Sequence, residues 1–105
     1  MNQLHGRWQI VWMEEWGQDY VDLVEPGYFR FEPEDGQFVF GDVQGWIDPR
    51  YSADLQRVDF SWQGVSAEDD LCGRGWFAVS GPGQAEGRLF IHNGDESGVS
   101  LRRQA

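Results

Sequence analysis

Short segments in which apolar and polar residues alternate are the feature that most constrains the fold of this chain. Residues 6–13 place Trp8, Ile10 and Trp12 on one face, with mostly polar residues between them. A period of two residues is typical of a β-strand with one buried face. Further strands are predicted at residues 57–63, 74–80, 88–92 and 98–101. We therefore expect a chain built mainly of strands.

The clearest hairpin lies in the second quarter of the chain. Residues 28–32 and 37–41 alternate and flank a turn that ends in Asp35-Gly36. This pair favours tight turns because Gly adopts left-handed backbone conformations at little cost. Residues 46–48 are predicted to extend the hairpin or to form a short strand after a bulge at Gly45, with residues 49–51 closing the segment. A longer acidic loop is predicted over residues 64–73 and a frayed end over residues 102–105.

The spacing of apolar residues changes between positions 16 and 24. Trp16, Tyr20, Leu23 and Val24 recur at intervals that bring side chains to one face of an α-helix. A Pro-Gly pair follows at positions 26–27, and neither residue favours continuation of a helix. One amphipathic helix of one or two turns is therefore predicted here.

The connections between the predicted strands limit the topology. Almost all are shorter than the dozen or so residues that a parallel crossover needs, so strands that are neighbours in sequence must pair antiparallel. Seven or eight twisted strands tend to close on themselves because closure removes exposed edges. We therefore predict one mainly β domain over residues 1–105. It is a small antiparallel up-and-down barrel, or a strongly curled meander sheet, with one short helix.

Aromatic residues decide what the interior of such a barrel holds. The chain has six Trp, seven Phe and three Tyr, and each aromatic side chain buries on the order of 150–250 Å². The predicted inward residues are Trp8, Ile10, Trp12, Phe29, Phe31, Phe38, Phe40, Phe60, Trp62, Trp76 and Phe90. An eight-stranded barrel is just wide enough for such side chains or for one small ligand, so a packed core is favoured over an apolar pocket. One or two of Trp16, Trp46 and Trp62 are expected at a rim or an interface.

Charge restricts the partners of the chain. It has 18 Asp and Glu residues against 8 basic residues, all of them Arg, and a formal net charge of -10. Binding of nucleic acid needs clustered Lys and Arg that release counterions from phosphates, so no direct nucleic-acid partner is expected. The acidic residues are expected in equal shares at the two barrel ends, which favours a role in solubility.

The cellular location is predicted from the first residues, the apolar runs and the cysteine content. The first residues lack the basic and apolar regions of a secretory signal, and no apolar run reaches the ~20 residues that span a bilayer. Cys72 is the single cysteine, so no internal disulfide is expected, as is usual in a reducing compartment. We therefore expect a cytoplasmic protein with no membrane partner.

Tryptophan close to arginine is the combination that suggests binding, because both residues are enriched among those that dominate protein interfaces. Trp46 and Arg50 form one such pair. The predicted residues for binding a ligand or partner are Trp46, Asp48, Arg50, Trp62, Arg74, Trp76 and His92. They favour a non-enzymatic binding domain that acts through protein contacts or a small apolar ligand. The oligomeric state stays open.

Two other functions also remain open. An acidic domain can mimic the phosphates of nucleic acid and so inhibit a basic partner protein. A weaker alternative is an enzyme that uses His92 with acidic neighbours, for which Asp95 and Asp69 are the catalytic candidates. His5, the other histidine, is expected at the same barrel end as His92. These residues lack the spacing of metal or catalytic motifs, so no metal or cofactor is predicted and an enzyme is the less favoured interpretation.

Two resemblances accompany these predictions. Gly6 and Trp8 match the Gly-x-Trp that opens lipocalin-like, or calycin-type, barrels, and this resemblance implies a Trp that plugs the closed barrel end. Typical lipocalins differ in being longer, in carrying disulfides and in ending with a helix. Over its whole length the chain is also similar to a group of small uncharacterised bacterial proteins, through the blocks at residues 45–48, 60–62, 73–76 and 90–95. That resemblance implies a stand-alone bacterial cytoplasmic domain and supplies no catalytic residues.

Overall fold

The chain folds into a closed barrel of eight antiparallel strands that follow one another in sequence order. This computed structural model describes residues 4–54, 56–67 and 69–104. The strands are β1 (Gly6–Met13), β2 (Tyr28–Phe31), β3 (Gly36–Phe40), β4 (Val43–Tyr51), β5 (Arg57–Ser66), β6 (Asp69–Gly81), β7 (Gln84–Ile91) and β8 (Glu96–Arg103). One turn of α-helix, α1 (Gln18–Val21), lies between β1 and β2. The predicted mainly β barrel with a short helix is thereby confirmed.

The barrel closes because β8 pairs with β1 as well as with β7. In the closing ladder, Ile10 lies opposite Leu101. We call the end where β1 begins and β8 ends the lower end; it also carries the turns that follow β2, β4 and β6. The upper end carries the connection between β1 and β2 and the turns that follow β3, β5 and β7.

Phenylalanine rings fill the middle of the barrel. The ring centroid of Phe29 lies 4.8 Å from those of Phe38 and Phe77 and 6.2 Å from that of Phe60. Phe60 is 4% exposed and the other three rings have no exposed surface. Rings at these separations and tilts attract one another beyond the gain from burial alone. The interior is therefore a packed aromatic core.

Two glycines make room for these rings. A Cβ atom at Gly45 would lie 2.2 Å from the Phe38 ring, and one at Gly75 would lie 2.5 Å from the Phe60 ring. Because no side chain can occupy those positions, the rings pack directly on the backbone of β4 and β6. The two glycines thus fix how closely these strands approach the core.

A bulge in β1 turns Trp12 out of the core, so its predicted inward placement is wrong. The pairing of β1 with β8 shifts register between Ile10 and Trp12. An extra residue, Val11, reverses the alternation beyond it. Met13 therefore points inward, while Trp12 is 51% exposed.

Trp76 and Phe90, which were also predicted to point inward, lie on the outer face. In β6 the inward position next to Trp76 belongs to Phe77, which has no exposed surface. In β7 the inward position belongs to Leu89, which is 1% exposed. Two large apolar residues stand side by side in each strand, so alternation alone does not choose the face. The register with the neighbouring strands chooses it.

Several strands extend beyond their predicted limits. Residues 64–73, predicted as an acidic loop, belong mostly to β5 and β6, and the turn between these strands contains Ala67 with φ of 50°. Residues 49–51 continue β4, and residues 102–103 continue β8. Pairing with neighbouring strands satisfies backbone groups that a loop would leave to water. The helix has one turn, within the predicted length, but Leu23 and Val24, predicted on its apolar face, lie beyond it and are 65% and 66% exposed. Within the described residues, no helix has the length and apolar character needed to cross a membrane.

The topology gathers acidic residues at the upper end, so the predicted equal division is wrong. The described acidic residues there are Glu14, Glu15, Asp19, Asp22, Glu25, Asp42, Asp69, Asp70, Asp95 and Glu96. Those at the lower end are Glu32, Glu34, Asp35 and Asp54. The strands β3 to β7 separate the turn after β2 from the turn after β7, and an odd number of antiparallel strands leads to the opposite end. For the same reason His5 and His92 lie at opposite ends, which corrects their predicted proximity.

Trp8 lies at the lower end of the barrel, where it is 1% exposed. Its Nε1 donates a hydrogen bond of 3.0 Å to the carbonyl oxygen of Leu4, and the guanidinium of Arg103 lies 4.4 Å from its ring centroid. Gly6, in the same Gly-x-Trp motif, has φ of 110°, a left-handed conformation that favours glycine. The lipocalin-like resemblance implies a Trp that plugs the closed barrel end, and that role and membership of the family stay predictions.

Candidate interaction face

The outer face of β4 to β7, which we call the interaction face, carries most of the predicted binding residues. Trp46, Asp48 and Arg50 point outward from β4, and Arg74 and Trp76 point outward from β6. The pairing register places Asp48, Ser61 and Arg74 side by side across β4, β5 and β6. It likewise aligns Arg50, Asp59 and Trp76. Residues from distant parts of the sequence therefore meet in two adjacent rows.

A first groove on this face, the His92 groove, has a volume of about 570 Å³. It is bounded by β5, β6, β7 and the turn after β7, and His92 and Arg74 line it together with Cys72 and Phe90. His92 is exposed, and its backbone N–H donates a hydrogen bond of 2.7 Å to the carbonyl oxygen of Cys72. This bond holds the turn against β6 and so shapes one wall of the groove.

A second groove, the Trp76 groove, has a volume of about 590 Å³ and adjoins the first. Its lining includes Asp48, Arg50 and Trp76, which the sequence predicts as binding residues. Ser61 and Arg74 line both grooves. The two grooves therefore form one continuous surface with Arg74 at the junction.

Among the arginines of the interaction face, Arg74 is distinct in having no acidic partner within the part of the chain that the structure describes. Arg50 forms an ion pair of 2.6 Å with Asp48, and Arg57 binds Asp59 through two hydrogen bonds of 3.0 Å. The guanidinium of Arg74 forms no ion pair with any carboxylate of the described residues. It lies over the ring of Phe90, 4.0 Å from the centroid. A guanidinium over an aromatic ring can still donate its N–H groups to an incoming acceptor.

The contact between Arg57 and Asp59 shifts the pKa of both groups. The hydrogen bonds from Arg57 are the main cause that lowers the pKa of Asp59 below its ordinary value. The same contact raises the pKa of Arg57. Arg57 also lies over the ring of Trp76, 4.5 Å from its centroid. These groups satisfy one another, and Arg74 is left as the cation able to attract an anion.

Trp62, predicted both as an inward residue and as a binding residue, points inward and lines the His92 groove. It is 2% exposed, and its ring lies 5.0 Å from that of Phe38. Its Nε1 donates a hydrogen bond of 3.3 Å to the carbonyl oxygen of Phe90. Strand alternation places Trp62 inward, and the indole reaches the floor of the His92 groove from below. Its role on this face is to position β7.

Trp46 is 51% exposed and lies at the edge of the interaction face. It stands opposite Gln63 of β5, which lines the His92 groove. On its other side it pairs with Gln37 of β3. Trp46 and Arg50, which were predicted as a pair, therefore share only the outer face of β4, because the side chain of Arg50 is held by Asp48.

His92 and the two acidic residues proposed as its catalytic neighbours lie at the upper end of the barrel. Asp95 is in the same turn as His92, and Asp69 begins β6. Among the described residues, no group of three or more His, Cys, Asp or Glu side chains is arranged to hold a metal ion. Cys72 shares the His92 groove and is exposed.

Sequence reasoning missed two aromatic residues of this surface. Phe90 supports Arg74, and Trp12 of β1 lines a further groove of about 320 Å³ that Trp76 also lines. Both were predicted to point inward. Acidic and basic residues of the neighbouring strands flank Phe90 on the outer face. This arrangement is visible only once the strand register is known. The bulge that exposes Trp12 has no signal in the sequence.

No protein-family model, no curated protein and no solved structure matches the chain. The assignment of the interaction face as a binding surface therefore depends on the geometry of its own residues.

Proposed function

We propose that this chain is a non-enzymatic binding domain whose interaction face contacts another protein. The observation that carries the proposal is the position of Arg74. Its guanidinium stands at the junction of two adjoining grooves, stacked on Phe90 and without a carboxylate partner among the described residues. Arginine and tryptophan in such settings are the residues that dominate protein interfaces.

The proposed partner presents a carboxylate next to an apolar or aromatic group. The carboxylate would accept hydrogen bonds from Arg74, since planar guanidinium groups match carboxylates in a bidentate geometry. The apolar group would lie against Trp76 or Phe90, which line the two grooves. The partner therefore needs one anionic group at a defined distance from a ring, and not a generally acidic surface, which the net charge of -10 would repel.

A small apolar ligand inside the barrel is less well supported. In the interior the ring of Phe29 contacts those of Phe38, Phe60 and Phe77, and the ring of Phe60 stacks on that of Phe77. A ligand there would have to displace them, at the cost of the contacts that hold the core together. The outer grooves are where we expect a ligand to bind.

A pair of small probes tests the proposal. N-acetylphenylalanine carries a ring and a carboxylate, and N-acetylphenylalaninamide carries the same ring without the charge. We expect N-acetylphenylalanine to cause saturable shifts in the NMR amide signals of Arg74, Phe90 and His92. The amide probe should bind about tenfold more weakly, because a charge-assisted hydrogen bond is lost. Equal binding of the two probes would contradict the proposal.

Matched variants complete this test. Arg74→Gln should weaken binding of N-acetylphenylalanine about tenfold and leave binding of the amide probe unchanged. Arg102→Gln serves as the control, because Arg102 is exposed on β8 and lines neither groove. Unchanged binding by Arg74→Gln would show that the cation is not the recognition element.

The mimic of nucleic-acid phosphates stays as a second candidate, because the topology gathers most acidic residues at the upper end. A synthetic oligoarginine peptide is a suitable probe. Mimicry predicts that a combined variant with Asp19→Asn, Asp22→Asn and Glu25→Gln loses binding that Arg74→Gln retains. It also predicts binding that falls steeply with salt, because screening acts on exposed charges. Binding that is indifferent to salt would remove this candidate.

The bacterial origin and the cytoplasmic location remain part of the proposal. An enzyme that uses His92 is the weakest of the three candidates. If His92→Ala abolished an activity measured with the purified protein, that candidate would replace the binding domain.

A further inference from the structure

Two arginines face each other on the side of the barrel away from the interaction face. Arg7 on β1 and Arg30 on β2 are directly opposite in the pairing register. Both point outward, since Trp8, Phe29 and Phe31 beside them occupy the inward positions. Like charges directly opposite on neighbouring strands repel and destabilise a sheet. The arrangement therefore calls for a compensating anion.

The described residues do not supply that anion. Neither arginine forms an ion pair with a carboxylate of the described chain. Arg7 donates from Nε to the side-chain oxygen of Gln104 at 2.8 Å, and its guanidinium lies over the ring of Tyr28, 3.7 Å from the centroid. Arg7 thus keeps its terminal N–H groups for another acceptor.

Arg30 is the more informative of the two arginines. Its Nη2 makes a long hydrogen bond of 3.4 Å to the side-chain oxygen of Gln37. Its Nε is buried and has no hydrogen-bond partner. A buried donor without a partner costs free energy, and charged donors cost more than neutral ones. Arg7 stands opposite Arg30 in the strand register, so an oxyanion held between the two side chains is a partner that would satisfy this N–H.

We propose that Arg7 and Arg30, with the amide of Gln37, form a binding site for a phosphate group. Two guanidinium groups match the double charge of a phosphate better than the single charge of a carboxylate, and arginine recognises phosphate oxygens through paired hydrogen bonds. The net charge of -10 repels anions at long range. Direct contact with the two arginines is therefore what retains the phosphate. This site is separate from the interaction face and does not depend on it.

The experiment is a titration of the full chain with inorganic phosphate, followed by NMR of the arginine side-chain Nε–H signals. Sodium acetate and sodium chloride at matched ionic strength form the other two arms. We expect phosphate to shift the Arg30 and Arg7 signals saturably, acetate to act at least about tenfold more weakly, and chloride to cause only a small linear drift. Equal effects of phosphate and chloride would overturn the proposal. Equal affinities for phosphate and acetate would overturn its assignment to phosphate.

Variants separate this site from general electrostatics. Arg7→Gln and Arg30→Gln should each weaken phosphate binding about ten- to hundredfold, whereas Arg74→Gln should leave it unchanged. Arg30→Lys keeps the charge and removes the planar fork, so it should weaken binding nearly as much as Arg30→Gln. Full binding by Arg30→Lys would reduce the site to a charge effect and overturn the proposed geometry. Arg7 is exposed, so Arg7→Gln keeps the test valid even if a change at Arg30 impairs folding.

Discussion

The indole nitrogen of Trp62 donates a hydrogen bond of 3.3 Å to the carbonyl oxygen of Phe90, and this bond joins the core to the interaction face. Trp62 lies inside the barrel, whereas the ring of Phe90 lies outside, beneath the guanidinium of Arg74. A residue of the interior therefore helps to hold the strand that presents the ring supporting the proposed binding cation.

Replacing Trp62 with Phe tests this connection. Phe retains an aromatic ring in the core and removes the Nε1–H donor. We expect the free energy of unfolding in urea to fall by about 1–3 kcal/mol, because a hydrogen bond and some packing volume are lost. Binding of N-acetylphenylalanine should also weaken. Trp46→Phe is the control. Because Trp46 is 51% exposed, the free energy of unfolding of this variant should change by less than about 0.5 kcal/mol. Equal effects of the two changes would disprove the link.

Replacing Gly75 with Ala tests the packing of the core on bare backbone. The new Cβ would lie 2.5 Å from the Phe60 ring and 2.8 Å from the carbonyl oxygen of Arg88. We expect a loss of stability of about 1–3 kcal/mol from overpacking, measured by thermal or urea unfolding. At Gly81 the nearest atom, in the flexible side chain of Gln84, is 3.4 Å away. Gly81→Ala should therefore be neutral or slightly stabilising.

Replacing Phe29 with Ala should be among the most destabilising core changes. Phe29 contacts the rings of Phe31, Phe38, Phe60 and Phe77. A cavity at this position is expected to cost about 3–5 kcal/mol. Phe29→Leu, which leaves a smaller cavity, keeps the measurement possible if the Ala variant does not fold. Trp12→Ala provides the contrast, because a half-exposed residue outside the barrel should contribute far less. A larger loss at Trp12 than at Phe29 would contradict the placement of both residues.

Tyr51 should make the stability of the protein depend on alkaline pH. Burial, together with the nearby charges of Glu32 and Asp35, raises the pKa of Tyr51 to about 12. Its hydroxyl donates a hydrogen bond of 2.6 Å to the carbonyl oxygen of Glu32. The unfolded chain loses this proton near the ordinary tyrosine pKa of about 10. The stabilising contribution is therefore complete below that pH and is lost as the pH rises from about 10 to about 12.

Unfolding in urea across this pH range measures the effect. Tyr51→Phe has no proton to lose and should show a flatter dependence on pH than the unchanged protein. Tyr20, whose pKa is also raised by burial and by its hydrogen bond to Asp42, accounts for a remaining slope. Identical slopes for Tyr51→Phe and the unchanged protein would refute the prediction.

Cys72 offers a direct probe of the His92 groove. Its thiol belongs to an exposed residue that lines this groove. Alkylation with a bulky maleimide should obstruct binding of N-acetylphenylalanine, and the bound probe should in turn slow alkylation. The rate is measured by mass spectrometry, and Arg74→Gln should remove the protection. Protection that persists in Arg74→Gln would place the probe elsewhere.

The sequence predicted the architecture because local signals settle it. Turn residues such as Asp35-Gly36 and the short connections leave an antiparallel meander as the only compact arrangement. Which individual residues point into the barrel was harder to predict. Trp76 stands next to Phe77, and the period of two does not say which of them is inside. The register with β5 and β7 decides this, and it depends on pairing between segments rather than on the segment itself.

The sequence predicted several residues of the candidate site but not how they are arranged. Arg74, Trp76 and His92 could be named from the sequence because Trp, Arg and His are common at binding surfaces. That Arg74 has no carboxylate partner among the described residues of the interaction face follows only from knowing which carboxylates reach the other arginines of that face. The acidic upper end was missed because the sequence left open whether residues 46–48 extend the hairpin or form a strand of their own. Residues 43–51 form a separate strand, which reverses the direction of every later strand. Two turns share a barrel end when an even number of strands separates them.

The ladder between β1 and β8 differs from the other seven in the length of chain it spans. Each of the others joins strands that are neighbours in sequence, whereas this one pairs Trp8 with Arg103. Contacts between distant segments require closure of a longer loop, which costs more conformational entropy and tends to slow folding. We therefore expect this seam to form last and to open first. Opening it would expose the edges of two strands at once, so the tendency to self-associate during partial unfolding should follow the strength of this single seam.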